Sequence, residues 1–527
     1  MGIDRTTCRR GVPSSACAWA CVALAAGCTT GPDFVRPADP APPPQWAALA
    51  ASAAAQAPAP ASAPDLPSRT LPTPFDGRRW WQVFRDPVLD GLVDDALHQN
   101  LDLQTAAWRI AEARAQRQAT IALGQPSVGA SGLAGRQRAS ENGLLSSLAG
   151  ASGGAAHGAP APPPPSPWGD LFEVGFDASW ELDLWGKVRR GVEAADASVL
   201  AAEQARGDAA VSLTAEVART YLQLRGARLQ EAIAHADIDD QRRLLALTES
   251  RARSGFTAQA DVVRQQAQLA ALEAELPPIA QEIDREENAL ALLLALPPGA
   301  LHERMGAASG ELAPLPPEVP VGLPGDLLRR RPDVLAAEAD LHAATARIGV
   351  AQAQLFPTVQ IGGFAGLQSV HADTLTDWAS RFGLGGVYVT IPLFEGGRLK
   401  SQIATADARA REAALAWRKT VLVAYHEANQ ALFAYAQEQR HTLALVRELE
   451  HARRARDLTR ERWRSGFVSQ IEVIDAERQV HQAQLAASQS AVTAAAGLVA
   501  LFKSLGGDWG QGDGGTNAVV ASPAAGR

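Results

Sequence analysis

Few residues of this 527-residue chain are set up to do chemistry, and the clearest of them is a cysteine. Cys28 ends the string Leu24-Ala25-Ala26-Gly27-Cys28, behind a positive segment with Arg5, Arg9 and Arg10 and an apolar, small-residue stretch from Ala16 to Ala26. That stretch is too short to span a membrane as a stable helix and reads as an export signal. Its end resembles the bacterial lipobox, in which a peptidase cuts ahead of the cysteine and the sulfur takes a diacylglycerol. An ordinary cleavage site that happens to sit beside a small cysteine fits the same residues. Cutting before Cys28 removes Cys8, Cys17 and Cys21, so no disulfide is left to form and rigidity must come from packing or assembly. Thr29, not an aspartate, would follow the lipidated residue, and the resemblance to bacterial lipoproteins then implies sorting to the outer membrane.

The remaining chemistry is a series of exclusions. The ten histidines are scattered without metal-ligand spacing. Gly383-x-Gly385-Gly386 is an incomplete dinucleotide pattern that precedes a strand, not a helix. No G-x-S-x-G or Walker pattern occurs. The expectation is therefore a non-enzyme with no cofactor beyond a covalent lipid on Cys28. A net charge of −8 provides no basic field for a nucleic-acid backbone. Hydrophobic residues make up 46% of the chain but aromatics only 6%, and alanine supplies much of the rest, which favours long, closely packed helices.

The chain is written twice. Arg253-Ser254-Gly255-Phe256 repeats as Arg464-Ser465-Gly466-Phe467, and the same offset of 211 pairs Ala195-Asp196-Ala197 with Ala406-Asp407-Ala408 and Glu216 with Glu427. Upstream, Asp102 matches Asp333 and Pro126 matches Pro357 at an offset of 231, so the first copy carries an insertion in the Gly/Ala/Pro-rich tract between Leu133 and Gly169. Such a period is a duplicated domain-sized element, not a solenoid unit. The expected divisions are a signal peptide at 1–27, a lipid anchor and Pro/Ala-rich tether at 28–74, repeats at 75–325 and 326–509, and a disordered tail at 510–527.

Each copy is predicted to run helix, strand, loop, strand, long helix, turn, helix. From Phe172, apolar Val174, Phe176, Ala178, Trp180 and Leu182 alternate with Glu173, Gly175, Asp177, Ser179 and Glu181, the mark of a strand with one apolar and one polar wall. Val387, Val389, Ile391 and Leu393 alternate likewise in the second copy, and Val359 and Ile361 begin its partner. Trp168, Phe172, Trp185, Phe382 and Phe394 are candidates for an aromatic girdle. Two hairpins make only four strands, and an open sheet in lipid leaves unpaired backbone at both edges, so closure demands other subunits. A soluble sandwich of two hairpins is the plainer alternative. Proline-free runs from Gly186 to Ser254 and from Gly397 to Gly466 predict helices of about 100 Å at 1.5 Å per residue. Val188, Val192, Ala195 and Val199, echoed by Leu399, Ile403, Ala406 and Ala410, line one stripe of each. Returning helices are expected over Ala258–Leu296 and Ser469–Leu505.

Several stretches then resemble the TolC/OprM-like outer membrane factors, in particular the lipoprotein branch that serves RND-type tripartite efflux pumps. They are Trp80-Trp81, Phe84, Asp86-Pro87 and Asn100-Leu101-Asp102-Leu103, then Arg330-Arg331-Pro332-Asp333-Val334, Phe356-Pro357, Ile391-Pro392-Leu393-Phe394 and Leu505-Gly506-Gly507-Asp508-Trp509, with Gly31-Pro32-Asp33-Phe34 after the lipobox. The matches cover nearly all of the mature chain in order. The resemblance implies a mixed α and β membrane protein. Three chains would share a twelve-stranded outer-membrane β-barrel, continued by a twelve-helix periplasmic α-barrel. It further implies a passive exit duct in a Gram-negative outer membrane, with a periplasmic adaptor and an inner-membrane RND transporter as partners.

The family also has a periplasmic constriction, and its pattern falls here on Ile471, Asp475 and Arg478, with Glu472 beside them. Favouring the positive N-terminus of the last helix is the plainer role for Glu472 and Asp475. Asp261 and Arg264 echo the arrangement in the first copy. The turns Ser254-Gly255-Phe256 and Ser465-Gly466-Phe467 match the places where the family docks its adaptor, and they also fit two tight turns with no partner. A duct for protein secretion by an ABC system and a pore-less coiled-coil scaffold lipoprotein are the competing readings.

Overall fold

A computed structural model of the chain describes residues 29–38, 40, 46–47, 66–73, 77–138, 140, 168–306, 312 and 314–507. Cys28, the export signal and the tail from 508 onward lie outside the described residues. The strands are β1 (Arg69–Leu71), β2 (Ser127–Arg138), β3 (Trp168–Leu182), β4 (Glu318–Pro320), β5 (Thr358–Ser369) and β6 (Arg381–Thr390). The helices are α1 (Pro87–Gln99), α2 (Leu101–Ala122), α3 (Lys187–Arg253), α4 (Gln259–Glu273), α5 (Leu276–Leu293), α6 (His302–Gly306), α7 (Leu327–Arg330), α8 (Pro332–Ala353), α9 (Arg398–Arg464) and α10 (Gln470–Leu505). α3 and α9 are each 67 residues long, matching the two proline-free runs. The chain divides into two compact units, one built from residues 1–35, 113–199 and 341–412, the other from 36–112, 200–340 and 413–527.

The first unit holds an antiparallel sheet in the order β2-β3-β5-β6. All four helix connections, from α2, α3, α8 and α9, leave the same end of this sheet. Indoles fasten that end, with Trp180 Nε1 donating to the Gly124 carbonyl at 2.9 Å and Trp185 Nε1 to that of Pro357 at 2.7 Å. Asp183 starts α3 by accepting from the backbone N–H groups of Val188 and Arg189 at 3.0 and 2.9 Å, a capping arrangement that satisfies donors the helix itself cannot. β2 is a full 12-residue strand although its Gly/Ser-rich sequence is a weak signal, and β2 and β3 take up both ends of the expected insertion, which shrinks to residues 139–167. β6 stops at Thr390, so Ile391 and Leu393 fall beyond the strand in which the alternation placed them.

Within the described part of the expected 28–74 tether, residues 30–34 make specific contacts with the first unit. Thr30 donates to the Trp185 carbonyl at 3.0 Å, Phe34 stacks on His342 at 4.4 Å, and buried Arg190 pairs with Asp33 and Glu193. In the second unit β1 pairs in parallel with β4, and the Trp46 indole donates to the Gly322 carbonyl at 3.1 Å.

The second unit carries the larger apolar core. Trp80, Trp81, Phe84, Leu89, Leu92 and Val93 pack with Val217, Tyr221 and Leu224 of α3, Trp417, Val421 and Leu432 of α9, and Leu498, Leu501 and Phe502 of α10. Among the described helices, α10 is the one long and apolar enough to cross a membrane, but more than half of its most apolar window is buried in this core. Asp86 caps α1 through the Val88 N–H at 2.9 Å, and its other oxygen accepts from Tyr221 Oη at 2.8 Å and Arg225 at 2.7 Å. Burial, then the bond to Asp86, pushes the Tyr221 hydroxyl up to about 12. The single returning helix expected over Ala258–Leu296 is two helices, α4 and α5, parted at Ala274 and Glu275. Pro277 and Pro278 explain the break, because neither has an N–H to donate one turn back and their rings crowd the preceding carbonyls.

Candidate functional site

Three places position the residues singled out by the sequence. The first is the sheet. Directly opposed residues share a face, so the register assigns two walls. Phe172, Val174, Phe176, Ala178 and Trp180 stand in line with Ala134, Gly132, Ala130 and Val128 of β2 and with Leu367, Ala365, Gly363 and Ile361 of β5. The wall continues over Gly385, Val387 and Val389 of β6. The opposite wall bears Glu173, Asp177 and Glu181 with Ser127, Ser131, Gln360, Gln368 and Thr390, and Gln368 donates to Glu173 at 3.1 Å. Phe382 opposes Gly366, which puts it on this polar wall against Phe364 at 5.2 Å, not in an apolar girdle. Trp185 and Phe394 lie outside the strands, leaving Trp168 and Phe172 as the girdle candidates on the apolar wall. The outer edges of β2 and β6 have no strand partner among the described residues.

The second place is the pair of turns. Gly255 and Gly466 have φ of 77° and 79°. The N–H of Gly255 reaches the Ala252 carbonyl and that of Phe256 the Arg251 carbonyl, and Gly466 and Phe467 repeat both bonds to Trp463 and Arg462. This is the Schellman end, in which a left-handed glycine satisfies the last carbonyls of the helix. The apolar residue after such a glycine ordinarily folds back on the helix. Here Phe256 and Phe467 are 77% and 78% exposed, so both rings stand free at the turns. Ser254 and Ser465 bond back to Ser250 and Glu461 of their own helices.

The third is the start of α10. Ile471 is exposed. Asp475 and Arg478 pair at 2.9 Å within the chain, and Asp261 and Arg264 form the equivalent pair at 2.8 Å on α4. Glu472 turns back to the backbone N–H of Ser469 at 3.4 Å, the reciprocal half of a capping box. Glu472 thus serves the helix end, and Asp475 with Arg478 stays on the surface.

Sequence reasoning missed a half-buried charge cluster one to two turns further along α10. His481 of α10 has Asp237 of α3 at 2.6 Å from Nδ1 and Glu275, at the α4–α5 break, at 3.0 Å from Nε2. Acceptors on both ring nitrogens favour the doubly protonated ring. The Asp237 bond, then the Glu275 charge, raise its pKa against the opposing effect of burial. One turn earlier, burial raises the pKa of Glu477 although Arg460 of α9 pairs with it. Each partner comes from a different helix at no fixed spacing, so only the fold brings them together. Among the described residues no group of His, Cys, Asp or Glu could hold a metal ion.

The sheet has an apolar wall and a polar one, its strands run on into very long helices, and the chain is similar to known outer-membrane proteins. The pyoverdine export outer membrane protein OpmQ of Pseudomonas aeruginosa is 31% identical over 435 residues, which are 82% of this chain and 88% of that protein. Outer membrane protein OprJ of the same species is 29% identical over 496 residues, covering 93% and 95%. The solved structure of the outer-membrane channel OprN is similar with a TM-score of 0.77 and 32% identity, over 92% of this chain and all of that one. The family model described as outer membrane efflux protein matches residues 92–296 and 323–507, and the chain belongs to that family.

Proposed function

We propose that this chain forms the outer-membrane exit duct of an RND-type tripartite efflux pump and exports small molecules such as drugs passively. The observation that carries the reading is the four-stranded sheet with one apolar wall, one polar wall and two edges without a strand partner among the described residues. In hydrocarbon each unpaired backbone group costs several kcal/mol, on the order given for buried amides. Three copies joined edge to edge close a twelve-stranded barrel with lipid outside and water inside, and α3, α9 and their returning helices form a twelve-helix tunnel. Such a duct lowers the barrier to crossing and supplies no energy, which comes from the inner-membrane transporter.

The remaining parts follow this frame. Cys28 carries the lipid anchor. Phe256 and Phe467, with Ser254, Gly255, Ser465 and Gly466, receive the periplasmic adaptor, a role supported by the two exposed rings. Ile471, Glu472, Asp475 and Arg478 line the periplasmic constriction, Glu472 acting through the capping box and the other three at the surface. The experiment is reconstitution in a planar bilayer. Discrete single-channel conductance is the expected result, and its absence would favour a pore-less scaffold.

A further inference from the structure

The apolar wall of the sheet does not end in apolar residues. At the end away from the four helix connections, the same face of β2 runs on to Arg136 and Arg138, opposite Asp170 and Trp168 of β3. Both guanidiniums lie within 6 Å of the Trp168 ring, at 5.9 and 5.8 Å, and Arg136 also approaches Asp170 at 3.6 Å. On the far edge, β6 begins on that face with Arg381, whose guanidinium lies over the ring of Trp378 at 3.2 Å. Along the apolar rows of the described strands, Arg136, Arg138, Arg381 and Asp170 are thus the charged residues, and all four stand as a crown at this end of the wall.

We infer that this crown binds the phosphate groups of a phosphorylated glycolipid in the outer leaflet of the membrane. The inference rests on the channel reading, which puts this face in lipid and this end at the outer surface. Charge on a lipid-facing wall is costly near the midplane and tolerated at the interface, so its position alone limits what it meets. Guanidinium recognises phosphate through paired N–H groups, and an indole beside it suits the headgroup level. Arg136 and Arg138 sit on one edge strand and Arg381 on the other. Closing the barrel brings β6 of one copy beside β2 of the next, antiparallel, with all three arginines at the same rim. The site is therefore composite, one at each of three seams, and a bound glycolipid bridges neighbouring copies. An interface that needed only aromatic anchoring would not concentrate cations at both edges.

The test uses the full-length lipoprotein in nanodiscs containing hexa-acyl lipid A or the same lipid with its phosphates removed, with lipid retained per particle counted by native mass spectrometry. At an anionic surface each basic residue is worth about 1 kcal/mol. Arg381→Gln is expected to weaken retention about fivefold, and the triple variant with Arg136→Gln and Arg138→Gln about a hundredfold. Replacing all three by lysine keeps the charge without the paired N–H groups, so retention is expected between that of the parent and the triple glutamine variant, which shows that the wall still folds. The dephosphorylated lipid is expected to wash out, and inorganic phosphate at millimolar concentration not to displace the intact one. Equal retention of either lipid by parent and triple variant overturns the assignment, and displacement by inorganic phosphate shows a free-anion site instead. Conductance of the same preparation separates the two levels. A conducting particle indifferent to phosphorylation sinks only the crown, and a non-conducting monomer sinks the channel reading beneath it.

Discussion

Asp475 and Arg478 give the most informative perturbation of the proposed constriction, because the structure separates their contribution to folding from their contribution to conduction. The pair is an exposed i,i+3 contact with side chains half in solvent. Such pairs are worth about 0.3–0.5 kcal/mol, too little for their loss to unfold a helix of 36 residues packed along one face. In a duct the same charges occur three times around the lumen. A unit charge about 8 Å from a permeating ion in water contributes ~0.5 kcal/mol, so three contribute ~1.5 kcal/mol before screening. At about one Debye length screening lowers this to roughly a third. The pair is close to neutral at a distance, so removing one member leaves the other uncompensated. Asp475→Asn should shift the cation-to-anion permeability ratio toward anions by roughly two- to tenfold, and Arg478→Gln should shift it toward cations by the same factor. The assay is the reversal potential across a planar bilayer under a salt gradient, with thermal unfolding as the control. Opposite shifts with unchanged unfolding support the constriction. Two variants indistinguishable from the parent refute it and leave Asp475 as a residue that merely favours a helix N-terminus.

Other predictions probe separate parts of the account. Asp86→Ala removes the α1 cap and the Asp86 carboxylate from the mostly buried Arg225–Tyr221 cluster, so it should destabilise the protein by about 3–5 kcal/mol, measured as a lower denaturant midpoint; Tyr221→Phe should cost about 1 kcal/mol. His481 has a raised pKa in the folded state, so its bonds contribute fully below its unfolded value near 6.5 and fade as pH climbs through the folded value. Thermal midpoints of parent and His481→Gln should therefore converge at alkaline pH, and a gap that widens with pH would contradict this. Gly466→Pro removes the N–H that reaches the Trp463 carbonyl and the left-handed conformation, at a distance from the sheet in sequence. It should leave the assembly intact and abolish crosslinking to the adaptor, and normal crosslinking would end the docking assignment.

Much of this architecture was legible because helices and alternating strands write their periods into sequence. The two long helices were bounded within a few residues by glycines at the ends of proline-free runs, and β3 displayed its two walls in plain alternation. β2 was not so readable, since glycine and serine carry no face preference, and with it the register that puts Arg136 and Arg138 on the apolar wall was hidden. Phe382 was misplaced for the same reason, because one position of register moves a side chain to the other face. The parting of α4 from α5 could have been read from Pro277-Pro278. Nothing in linear spacing links Asp237, Glu275 and His481, or Asp86 and Arg225, which meet only once the helices are packed.

The central claim is that sheets with two unpaired edges share one wall in the membrane. The mass of the purified protein in mild detergent, measured by light scattering with the detergent contribution removed, tests it most directly. Three chains per particle is the predicted value; a stable single chain would contradict the account.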